Sequence, residues 1–231
     1  MGKGKLIVLD GLDGCGKSTQ LDLAVGYLKE QGIDCRSVSF PNYDTITGQL
    51  VECYLRGEVP CEGRNGAYAA ASFYAMDRYV SYITDWKNYY EQGGVIIAGR
   101  YTTSNAIYQL TKIPDSEKDV FLNWLYEYEY NLLGLPQPDL VLFLDMPVDI
   151  SQNLLTERYD GDESKKDIHE RNVEFLKNCR KSALYAARHG DWSVISCSED
   201  GLPRSIEEVY SQICGFLRLL MFDEFFELSQ N

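Results

Sequence analysis

Five short apolar runs recur along the chain, at residues 5–10, 35–40, 94–98, 139–145 and 193–197. Val95-Ile96-Ile97-Ala98 and Leu140-Val141-Leu142-Phe143-Leu144 are apolar at consecutive positions, as strands covered on both faces must be. Between the runs lie stretches with helical character, at about 18–31, 65–92, 115–133, 168–189 and 203–228. Leu21, Ala24, Val25 and Leu28 show the three- and four-residue return that marks one buried helix face. Alternation of strand and helix predicts a parallel sheet with helices on both sides. No repeat, low-complexity tract or domain-scale linker interrupts the pattern, so the chain reads as one domain over 1–231. Residues 158–167, Arg-Tyr-Asp-Gly-Asp-Glu-Ser-Lys-Lys-Asp, are polar and aperiodic. They read equally as a solvated loop and as a mobile lid.

The first strand leads into Gly11-Leu12-Asp13-Gly14-Cys15-Gly16-Lys17-Ser18, which fits G-x-x-x-x-G-K-[ST]. Glycines let a backbone curl until successive N–H groups converge on phosphate oxygens. The amides of Gly11, Gly14, Cys15, Gly16, Lys17, Ser18 and Thr19 are the candidate cradle. Lys17 is placed to reach the β- and γ-phosphates, and the Ser18 hydroxyl to sit on Mg²⁺. A helix beginning near Ser18 adds the positive end of its dipole. The strand before and the helical pattern after are the context this motif requires.

The net charge of −13 argues against a nucleic-acid polymer as partner, since duplex binding needs a basic face. A small nucleotide needs only local positive charge. No apolar run reaches membrane-spanning length, and no signal peptide is visible. The apolar stretch that starts at Phe216 is too short to span a bilayer and reads as core or a subunit contact. Seven scattered cysteines, none in a C-x-x-C pair, suit reduced thiols in the cytoplasm.

Several further segments, in order, resemble the thymidylate kinase family. They are Asp10-Gly11-Leu12-Asp13, Phe40-Pro41, Phe73-Tyr74-Ala75-Met76-Asp77-Arg78, the run from Gly99-Arg100-Tyr101 to Tyr108-Gln109, and Pro138-Asp139-Leu140 through Asp145. The resemblance runs from residue 5 to about 197. It implies a three-layer α/β P-loop NTPase fold, with a five-stranded parallel sheet flanked by helices and a lid. It also implies transfer of the γ-phosphate of ATP, with Mg²⁺, to dTMP, by a cytoplasmic homodimer whose helix 65–92 is a candidate interface.

Residue by residue, it casts Asp13 as acceptor for the sugar 3′-OH, and Pro41 as lining of the deoxyribose pocket. Tyr74 stacks on the base and Arg78, one turn on, reaches it. Arg100 grips the acceptor phosphate, and Ser104, Tyr108 and Gln109 complete the acceptor side. Lys17, Arg100 and a lid cation, Arg158 first, would carry catalysis.

The chain departs from the family pattern in three respects. Gly99 stands where the family has Asp near the metal, leaving Asp10, Asp13 or Asp145 to supply a carboxylate. Tyr43 replaces an Arg near the acceptor phosphate. Gly14 and Cys15 leave the phosphate loop without an Arg, so Arg158, Lys165 and Lys166 must supply lid charge. These departures keep two alternatives open: a kinase of another deoxynucleotide or nucleoside, and a nucleotide-binding regulator without turnover.

Overall fold

The computed structural model describes residues 3–158 and 172–222. Its centre is a parallel sheet of β1 (Lys5–Gly11), β2 (Cys35–Ser39), β3 (Val95–Gly99), β4 (Leu140–Asp145) and β5 (Ser193–Ser196), in the order β2-β3-β1-β4-β5. The expected strands are all present, within a residue of their expected ends. The four pairings within this sheet are all parallel, with Ile7 opposite Ile97 on one side and Leu140 on the other.

Period-two alternation sends β1 to both faces. Ile7 and Leu9 pack with Ala24 and Leu28 of α1 (Lys17–Glu30) and with Val209, Ile213 and Leu217 of α9 (Ile206–Phe222). Leu6 and Val8 pack on the other face against Tyr82, Trp86 and Tyr90. The interior residues of β1 and β3 are buried on both faces, which is why these segments read as unbroken apolar runs. Truncating a fully buried member such as Ile97 to Ala would cost about 2–5 kcal/mol.

The helix expected at 65–92 is three pieces. α3 (Gly63–Ser81) passes through a π turn at Tyr82–Trp86 into α4 (Lys87–Glu91). The wide turn sets Tyr82, Trp86 and Tyr90 edge to face, with centroids 4.6 and 5.9 Å apart. The helix expected at 115–133 likewise continues from α6 (Lys118–Tyr126) into a second π turn, Glu127–Leu132. π turns of this kind are frequent at functional sites.

Three helices were not legible from the pattern: α2 (Ile46–Leu55), α5 (Thr102–Tyr108) and α7 (Val148–Arg158). α5 begins Thr-Thr-Ser-Asn, residues of low helix propensity, and tertiary burial overrides that preference. α8 (Val173–His189) covers the described part of the helix expected at 168–189. The expected lid falls at 158–167. Lys165, Lys166 and the side chain of Arg158 lie outside the described residues, as do 168–171 and 223–228; the backbone of Arg158 ends α7.

Candidate active site

The phosphate loop joins β1 to α1 at the carboxyl end of the sheet, where α/β folds bind ligands. Gly14 and Gly16 take φ of 78° and 83°, left-handed values that glycine adopts without strain. A Cβ on Gly14 would also lie 2.9 Å from the Ser151 carbonyl oxygen of α7. Among the described residues no side chain caps the start of α1, and its first turn holds no acidic residue. Its leading amides therefore remain donors for an anion. Lys17 Nζ rests 2.9 Å from the Gly11 carbonyl oxygen. Cys15 is buried beneath the loop, and burial raises its thiol pKa.

A cavity of about 880 Å³ opens from this loop. Residues 13–19 form its floor, Gly99 and Arg100 one wall, and Arg204, Ser205 and Ile206 the far end. A second cavity of about 250 Å³ lies on the opposite side of Arg100 and Asp13, which line both. Pro41, Tyr43, Tyr74, Arg78, Ser104, Tyr108 and Gln109 all line the smaller one. The structure thus brings every expected acceptor-side residue to one pocket.

The wall between the cavities is an ionic cluster. Arg100 has φ of 68°, unusual for a residue with a side chain, and its N–H donates to the Leu9 carbonyl at 3.1 Å. Arg100 Nη2 donates to Asp13 Oδ1 in a short contact, and Nη1 donates to the Tyr108 hydroxyl at 3.2 Å. That hydroxyl lies 3.1 Å from Asp13 Oδ2. Burial works against the guanidinium charge, but Tyr108, Asp13 and Asp10 outweigh it and hold its pKa well above the ordinary value. The cluster fixes the plane of the guanidinium, which suits a bidentate grip on phosphate.

Asp10 lies beneath this cluster, fully buried. It accepts from the Gly11 N–H at 2.8 Å, the Thr103 hydroxyl at 2.5 Å and the Ser104 hydroxyl at 2.7 Å. Ser104 therefore lines the acceptor pocket with its hydroxyl turned to Asp10. Of the carboxylates considered in place of a residue-99 Asp, Asp145 forms a two-pronged ion pair with Arg180 at 2.6 and 2.7 Å. Ser18 is exposed on the donor-cavity floor, and a single hard hydroxyl oxygen suits Mg²⁺, which takes its remaining ligands from phosphates and water. A Cβ at Gly99 would meet Leu21 Cδ2 at 3.0 Å, the flexible end of a side chain.

On the acceptor side, α3 supplies Tyr74 and Arg78 from one face. Tyr74 stands edge-on to Tyr54, 6.2 Å between centroids, and burial pushes its phenol pKa up. Arg78 is part of the pocket wall, yet only 1% exposed. It donates from Nε at 2.7 Å and Nη2 at 2.5 Å to the carboxylate of Glu129. Burial opposes its charge, and Glu129 more than offsets this, so its pKa is raised. Asp77, next to Arg78, accepts from the Asn42 N–H at 2.9 Å and the Thr47 hydroxyl at 3.0 Å. It thereby holds the segment that carries Pro41 and Tyr43.

Glu129, Asn105, Lys112 and Tyr54 were not anticipated. Lys112 Nζ donates to the Tyr54 hydroxyl at 2.8 Å and to Gln109 Oε1 at 2.9 Å. That bond directs the Gln109 carbonyl to Lys112. Asn105 stood in the recognised run, but nothing in its spacing marked it from its neighbours.

A family model described as thymidylate kinase matches residues 9–213. Thymidylate kinase of Mycobacterium tuberculosis is 28% identical over 206 residues, covering 84% of this chain and 92% of that protein. That of Plasmodium falciparum is 29% identical over 211 residues, covering 91% and 88%. The solved structure of Candida albicans thymidylate kinase superposes with a TM-score of 0.68 at 22% identity, covering 94% and 92%, and shares the fold. With a phosphate loop, a second cavity across Arg100 and a family match over most of its length, the chain belongs to the thymidylate kinase family.

Proposed function

We propose that this chain transfers the γ-phosphoryl group of ATP to the phosphate of dTMP, giving dTDP. The observation that carries the reading is the shared wall: Arg100 and Asp13 line both the donor cavity and the acceptor pocket. Phosphates bound in the two cavities would meet at that shared edge, beside Arg100, and face one another there. In-line transfer requires that approach, and catalysis then reduces to positioning and charge stabilisation. The attacking phosphate oxygen is already anionic, so no general base is needed. Asp13 accordingly serves as an orienting group, held by Arg100 and Tyr108, with its remaining acceptor capacity suited to a sugar hydroxyl.

In this mechanism the loop amides and the leading turn of α1 hold the donor phosphates. Lys17 exchanges the Gly11 carbonyl for phosphate oxygens. Arg100 grips the acceptor phosphate and faces the charge that develops during transfer. Tyr74 supplies a ring face for the base, and Pro41 with Tyr43 closes the sugar side. Arg158 is the proposed lid-side cation, because Leu154 and Leu155 line the donor cavity within the turn before it. Mg²⁺, with Ser18 as its protein ligand, would neutralise charge on the donor phosphates.

We further propose that the chain works as a single-domain subunit of a cytoplasmic homodimer. All seven cysteines are free thiols, which suits a reducing compartment. No helix among the described residues is long and apolar enough to cross a membrane. Sedimentation at micromolar concentration tests the dimer. The decisive assay couples ADP release to dTMP, dUMP, dGMP and thymidine side by side. Turnover with dTMP well above the others supports the proposal. Turnover with thymidine and none with dTMP refutes it.

A further inference from the structure

Glu129 is fully buried, sits on the π turn Glu127–Leu132 and belongs to no ligand-contacting segment. Its carboxylate accepts four hydrogen bonds. Oε2 takes Arg78 Nε at 2.7 Å and the Thr102 hydroxyl at 2.7 Å. Oε1 takes Arg78 Nη2 at 2.5 Å and Asn105 Nδ2 at 3.0 Å. Two of these partners, Arg78 and Asn105, line the acceptor pocket.

The consequence lies in the polarity of Asn105. Its Nδ2 also donates to the Ala71 carbonyl at 3.0 Å, so both amide hydrogens are directed at fixed acceptors. An Asn amide has two donors and one acceptor oxygen, and this network dictates which way round it sits. Asn105 is left to offer the pocket its Oδ1, an acceptor. Arg78, gripped along its Nε–Nη2 edge, offers guanidinium donors only. An acceptor beside a donor matches a ring N–H beside a carbonyl, the edge of thymine or uracil. Cytosine presents the reverse order, a ring acceptor beside an amino donor.

We propose that Glu129 is a positioning residue that sets the hydrogen-bond polarity of the acceptor pocket, and through Asn105 and Arg78 selects bases with a ring N–H beside a carbonyl. The proposal rests on the acceptor-pocket reading above. In Glu129→Gln an amide accepts on one edge only, so one pair of donors loses its acceptor. Asn105 is then released to flip and present Nδ2 to the base. Glu129→Asp keeps the charge, and Thr102→Val removes one donor while leaving the ion pair.

The experiment measures kcat/KM for dTMP and dCMP in the wild type and the three variants. A ratio taken within one preparation is insensitive to the folded fraction. For Glu129→Gln the dTMP/dCMP ratio should fall by about tenfold or more, because a site that loses its directed donors and acceptors loses its basis for rejection. KM for dTMP should rise more than kcat falls, and KM for ATP should hold. Glu129→Asp should recover part of the ratio, and Thr102→Val should lower it less than the Gln variant does. A Glu129→Gln enzyme with an unchanged ratio overturns the proposal. If that variant does not fold, a wild-type ratio in Glu129→Asp, whose carboxylate is one methylene short of Arg78 and Asn105, does so. A wild type indifferent to dTMP and dCMP defeats the pocket reading itself, whereas a selective wild type with equally selective variants defeats Glu129 alone.

Discussion

The donor cavity and the acceptor pocket share a wall but are built differently. The donor side is built around one contiguous stretch, residues 12–21, with further residues from the ends of other elements closing it. The acceptor pocket is nearly all side chain, drawn from the segments at 40–43, 54–55, 74–78, 100–112 and 175, with Glu129 behind them. Backbone recognition of phosphate needs continuity in sequence. Recognition of a base needs polar groups converging from several elements. The first leaves a contiguous motif, while the second leaves scattered residues.

The largest effect should come from the donor side. Lys17→Ala should lower kcat on the order of 10²–10³-fold, as loss of a preorganised charge partner does, while the circular dichroism spectrum stays native. A variant at wild-type turnover would break the donor-side assignment. On the shared wall, Arg100→Lys should lower kcat/KM for dTMP by roughly 10²-fold, since a point charge replaces a planar fork. An effect confined to KM for ATP would move Arg100 wholly to the donor side.

On the acceptor side, Asp77→Ala frees the segment at 42–47 from α3. KM for dTMP should rise about tenfold, the equivalent of about 1.4 kcal/mol, with KM for ATP unchanged. Parallel changes in both constants would show that the two regions are not separable. The smallest effect belongs to Gly99→Ala. Its Cβ would press on the flexible end of Leu21 at 3.0 Å and touch Ser39 at ordinary contact distance, so the cost should stay within about 1 kcal/mol, or about 2–4 °C in Tm. A collapse in stability would show that the bare backbone at Gly99 is a packing requirement.

The same contrast explains what the sequence disclosed. The five strands were legible because burial on both faces writes itself as consecutive apolar residues. The phosphate loop was legible because its chemistry is local. Arg78 was expected at the base, and it does line the pocket, but nothing in Phe73–Arg78 announces that Glu129 grips its guanidinium from 51 residues away. Glu129 itself lies in Glu-Tyr-Glu-Tyr, within the stretch read as a helix at 115–133, and nothing in that run marks it as the carboxylate that the π turn buries. Asn105 and Thr102 sit in a run whose propensity favours a loop, so their place on a buried helix escaped pattern reading. Ser104 was expected to face the base, and its hydroxyl bonds to Asp10 because that buried carboxylate needs donors.

The cations around the two cavities differ in their company. Arg78 and Arg100 are each matched to a carboxylate, at Glu129 and Asp13, while Arg204 at the far end of the donor cavity donates to the Ser196 carbonyl at 3.3 Å. Lys17 likewise leans on a peptide oxygen, and Lys112 on a phenol, an amide and a peptide oxygen. Arg78 and Arg100 lend shape, but much of their electrical worth is already cancelled. Two polyanions meeting here would be balanced chiefly by Lys17, Lys112 and Arg204 and by whatever metal accompanies the triphosphate. Raising ionic strength should accordingly weaken the triphosphate's hold before it disturbs the grip on the base.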